Sequence, residues 1–107
     1  MDTAIQQQEQ QAPMRRVVAA MNREDWAGAQ NEIRAILRVN SSDSNAHLHK
    51  AICHFRAGMA KMESDPRAAA AEFTDGRTAL HQAEKHCSWR DWQMKSAIAD
   101  LKKKVGL

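Results

Sequence analysis

Along most of this chain apolar residues return every three or four positions, and helix-start signals separate the runs. Pro13 suits a first helical turn, where its missing N–H costs nothing. MRRVVAAMN follows, with Met14, Val17, Val18 and Met21 at helical spacing up to Asn22. Asp25 is an expected N-cap for DWAGAQNEIRAILRV, in which Trp26, Ala29, Ile33, Ile36 and Leu37 share one stripe that can extend to Val39. NSSDSN (residues 40–45) reads as a loop, and Asp43 or Ser44 caps a third helix. That helix sets Leu48, Ala51, Ile52, Phe55 and Met59 on one face, and either ends at Gly58 or runs on through Met62. Asp65-Pro66 restarts the chain into a long Ala-rich helix. Gly76 inside it costs about 1 kcal/mol relative to Ala, so either the helix bends there or another helix packs closely on the bare backbone. Ser88 with Asp91 resembles a capping box for WRDWQMKSAIADLKKKV, with Trp89, Trp92, Ile98, Leu101 and Val105 near one stripe.

Five helices, short loops and no convincing strand predict an all-α fold of antiparallel helix pairs. The 107 residues hold one domain at most, and four Gly and two Pro supply too few turns for a β-sandwich. Residues 1–12 are Gln-rich and polar and are expected to form a disordered tail, leaving residues 13–107 as a single helical domain. The first thirteen residues, MDTAIQQQEQQAP, lack the basic and apolar regions of a secretory signal, and no apolar run reaches about 18 residues. Cys53 and Cys87 suit free thiols in a reducing compartment. A cytoplasmic protein without a membrane partner is the expectation.

Chemistry-bearing patterns are sparse. Phosphate-cradling glycine loops are absent, and Glu24-Asp25 is explained as a helix start. His49 and Cys53 stand four apart, with His47 and His54 nearby, while His81, His86 and Cys87 lie near the end of the fourth helix. Zinc takes about four ligands at characteristic spacings, and neither cluster has them. No catalytic residue, metal ligand or cofactor is therefore expected, and the chain is read as a non-enzyme.

The middle of the chain resembles the tetratricopeptide repeat, a helix–turn–helix unit of about 34 residues. REDWAGA places Trp26 and Ala29 where that family opens its second helix with an aromatic and then a small residue. EIRAILRVN supplies Ile33, Ile36 and Leu37 at its aromatic, alanine and leucine positions. NAHLHKAICHFRAG puts Leu48, Ala51, Phe55 and Gly58 at the hydrophobic, small, aromatic and glycine positions of the next repeat. Ser41 stands where the family has proline, His47 where it has tryptophan, and residues 59–64 extend the helix pair. The resemblance covers Met14 to Gly58. It implies a stack of about two repeats with the last helix as a C-terminal cap.

What the family resemblance implies for function is a concave groove that holds a partner protein's helix or peptide, lined by Asn45, Leu48, His49, Ile52, Phe55 and Arg56. Two hairpins are fewer than the roughly three such stacks usually need, which favours a partner or self-association into a homo-oligomer. The expected role is thus an adaptor or small chaperone. The alternative is a basic helical nucleic-acid-associated protein using Arg90, Lys95, Lys102, Lys103 and Lys104. Residues 85–107 carry six Lys and Arg against Asp91 and Asp100, a net of +4, with Trp89 and Trp92 available for stacking on bases.

Overall fold

The computed structural model describes the backbone of residues 2–107 and the side chains of residues 12–107. It is all-α: α1 (Asp2–Asn22), α2 (Trp26–Val39), α3 (Ser44–Lys61), α4 (Pro66–His86) and α5 (Trp92–Lys104), with no strand among the described residues. The caps are local and repetitive. Asp25, Asp43, Asp65 and Asp91 each accept a hydrogen bond from the backbone N–H three residues on, at 2.9–3.1 Å, satisfying one donor left open at each helix start.

The first helix departs from expectation. Its backbone is helical from Asp2, so Pro13 lies inside the helix rather than in its first turn. Gln, Glu and Ala are good helix formers, and a helix needs only local backbone bonds. The disorder expected of residues 1–12 concerns a segment whose side chains, up to residue 11, lie outside the described residues. At its other end α1 closes in a Schellman turn: Asp25 N–H reaches Ala20 O at 2.9 Å and Glu24 N–H reaches Met21 O at 2.9 Å. Glu24 therefore sits at φ 60°, and Asp25 both completes this turn and caps α2.

Packing divides around α3. On one side Ala46 and Cys53 join Val17, Ala20 and Met21 of α1 and Ala29 and Ile33 of α2 in a buried cluster. On the other, Leu48, Ala51 and Phe55 pack with Ala79, Leu80 and Ala83 of α4 and Ile98 of α5. Ile52 touches both clusters. α3 and α4 run antiparallel: Ser44 Oγ donates to Ala83 O at 2.6 Å near one end, and Lys61 Nζ donates to Glu72 at 3.0 Å towards the other. Glycines set their separation. A Cβ on Gly58 of α3 would lie 2.7 Å from the Phe73 ring of α4, and one on Gly76 of α4 would lie 3.0 Å from the Phe55 ring of α3. Gly76 thus marks a close helix approach, and α3 continues past Gly58 to Lys61.

The last helix starts later than its sequence pattern suggests. Asp91, not Ser88, is the N-cap, and Ser88 Oγ instead accepts from Arg90 N–H at 3.3 Å. Trp89 consequently precedes the helix, and Trp89 and Trp92 are 70% and 76% exposed rather than part of the apolar stripe. Ile98 is buried, and Met94, Leu101 and Val105 pack beside it against the second cluster.

Candidate functional site

An open groove of about 1000 Å³ runs between α2, α3 and α4. Its floor is one stripe of α3: His47, Lys50, His54, Ala57 and Lys61. Steps of three and four residues keep these on one side of the helix. Gln30, Asn31 and Arg34 of α2 form one wall, and Asp75, Thr78 and Gln82 of α4 the other. Glu24 and Asp25 stand at the edge where α2 begins. The groove exists because α3 is buried against neighbours on both sides, so its polar face is what remains between them.

Glu72 ties the floor to the α4 wall. His54 Nδ1 donates to Glu72 Oε2 at 2.7 Å, and Lys61 Nζ donates to Oε1 at 3.0 Å. Burial pushes the Glu72 carboxyl up, but the His54 and Lys61 hydrogen bonds and charges outweigh it and hold the group below the usual carboxylate range. Across the groove, Arg34 donates to Asn31 Oδ1 at 3.1 Å. Among the described residues neither Arg34 nor Lys50 forms an ion pair, so both cations remain available to a ligand. His47 Nε2 bonds Ser41 O at 2.9 Å and its ring stacks on His86 at 5.7 Å, leaving Nδ1 buried and unpartnered.

The six residues expected to line a groove do not line this one. Leu48 and Phe55 are core, and Ile52 is half-buried between the two clusters. Asn45 and His49 are half-buried and bonded to each other, His49 Nδ1 to Asn45 O at 2.9 Å. Arg56 is exposed and edges a smaller recess with Met21 and Met59. At about 100° per residue these six centre on the side of α3 opposite the groove floor. The apolar members were drawn inward because α4 and α5 pack there. His47, Lys50, His54 and Lys61 recur at three- and four-residue spacing, but Asn45, His49 and Arg56 put polar groups on the opposite side as well, so the sequence alone does not single out the floor.

The cationic set divides too. Arg90 lies 4.9 Å over the Trp89 ring and Lys95 Nζ 5.3 Å over the Trp92 ring. Lys102 is engaged with Glu84 at 2.7 Å, while Lys103 and Lys104 are exposed in the last turn of α5. Burial pushes the Cys53 thiol up to about 11, against a smaller opposing effect of Arg56, so it stays protonated and weakly nucleophilic near neutral pH. Among the described residues no three His, Cys, Asp or Glu side chains gather as a metal site, and no helix is long and apolar enough to cross a membrane. Compared with known families, curated proteins and solved structures, the chain finds no match.

Proposed function

We propose that this chain is a non-enzymatic protein-interaction module, an adaptor or small chaperone, that holds a peptide segment of another protein between α2, α3 and α4. On this reading α1–α2 and α3–α4 are a tetratricopeptide-like stack of about two repeats, and α5 is its C-terminal cap. The observation that carries the proposal is the open groove floored by the polar stripe of the central helix. Its lining presents Arg34 and Lys50 alongside Glu24 and Asp75. Such a surface suits an extended peptide of mixed charge, held by hydrogen bonds and ion pairs, better than the apolar face of an amphipathic helix.

The test is to select peptides from a random display library on the purified chain and measure their affinity for variants. Peptides that bind the parent and lose at least about tenfold, or 1.4 kcal/mol, with Lys50→Glu or Arg34→Glu support the groove. Lys95→Glu, on α5 and outside the groove lining, should leave their affinity unchanged. Selected peptides indifferent to both groove substitutions would remove the proposal. Phe55→Ala is not diagnostic, because Phe55 belongs to the core.

A further inference from the structure

The fold makes no use of two of its largest side chains. Trp89 sits in the turn before α5 and Trp92 is that helix's first residue, and both are mostly exposed. Tryptophan is normally well buried on average, so two exposed neighbours require an explanation. Each ring carries a cation, Arg90 on Trp89 and Lys95 on Trp92. Lys95 Nζ also donates to Trp89 O at 2.9 Å, which ties the turn that carries Trp89 to the helix that begins with Trp92. Lys95, Ala99 and Lys103 then follow at four-residue steps along the outer side of α5, all exposed. Asp91 is occupied as the N-cap.

From this juxtaposition we infer that the α4–α5 turn and the outer face of α5 bind single-stranded nucleic acid. Bases stack on Trp89 and Trp92, and phosphates meet Arg90, Lys95 and Lys103. Exposed π-faces beside cations are what an unpaired strand needs. A duplex hides its base faces, so it would leave the indoles unused. An apolar protein partner would bury Arg90 and Lys95 without counter-charges, which is costly. A lipid surface needs a broad apolar face to enter the acyl boundary, whereas Met94, Ile98 and Leu101 point into the core. This surface is separate from the groove and does not depend on the peptide-binding proposal.

The experiment is anisotropy of a labelled oligothymidylate of about fifteen nucleotides, titrated with the full chain at low salt. Binding is expected, and Trp89→Ala and Trp92→Ala should each weaken it by about tenfold or more. Lys95→Glu should weaken it further, whereas Lys50→Glu in the groove should not. If three to four phosphates are neutralised, raising salt from about 50 to 200 mM should cost about 20- to 50-fold. All four positions are exposed or half-buried, and circular dichroism of each variant confirms that the helices persist. Binding of duplex as tightly as single strand, or indifference to both tryptophan substitutions, would mean charge alone and would overturn the inference. So would absence of oligonucleotide binding, with or without adsorption to phosphatidylserine-containing vesicles.

Discussion

Replacing Gly58 by Ala tests the contact that positions the groove. In an unconstrained helix the change should stabilise by about 1 kcal/mol, because Ala loses less backbone entropy and favours the helix. Here the new methyl would meet Phe73 Cε1 at 2.7 Å, Cδ1 at 2.9 Å and the Ala69 carbonyl oxygen at 3.2 Å. The carbonyl belongs to the α4 backbone and can retreat only if the helices part. The ring is packed against the core and stacked on Phe55, with centroids 6.4 Å apart. Overpacking of this kind costs about 1–3 kcal/mol, and displacing an aromatic pair about 0.5–1.5 kcal/mol more. Strain therefore exceeds the propensity gain, and a net destabilisation of about 0.5–3.5 kcal/mol is expected. At about 4–8 °C per kcal/mol for a domain of this size, thermal melts followed by far-UV circular dichroism should show a Tm lower by at least about 2 °C and at most about 28 °C. In a Phe73→Ala background the obstructing ring is gone and only the 3.2 Å contact with the Ala69 carbonyl remains, so the same substitution should cost markedly less. A Tm that rises by several degrees in both backgrounds would refute the close-approach reading of this glycine.

Glu24→Gly should raise Tm by a few degrees, about 0.5–1 kcal/mol, because glycine adopts the left-handed φ of 60° without steric cost; α5 ends on the same turn with Gly106 at φ 77°. The Glu72 carboxyl, held below its ordinary 4.5, contributes stability that is present above that pH and lost as pH falls through its folded value. Acid unfolding profiles should therefore lose part of their slope below about pH 4.5 in Glu72→Gln. Cys53 acts in the opposite sense: its thiol is raised from 9.0 to about 11, so its contribution is whole below pH 9 and fades as pH climbs towards 11. The loss should approach about 3 kcal/mol by urea unfolding, and Cys53→Ala, though less stable at neutral pH, should show a flatter alkaline limb.

Much of the helical framework was legible because capping and periodicity are local. An Asp that bonds the N–H three residues on needs no distant partner, so Asp25 and Asp65 announce their helices wherever those helices pack, while between Asp43 and Ser44 the structure selects Asp43. The start of α5 was less legible, since Ser88 and Asp91 are both competent caps, and only the fold leaves Trp89 and Trp92 outside. Gly76 by itself is equally compatible with a bend or a contact; Phe55 from another helix decides between them.

The sequence by itself determined that the chain forms helices, where most of them begin, and which side chains are greasy enough to bury. The tertiary structure alone decided which polar side of α3 stays open. Periodicity fixes the angles between residues on a helix, but not which angles are covered by neighbours. With α2 and α4 seated on either side, Leu48 and Phe55 became core while His47, Lys50 and His54 were left to floor the groove.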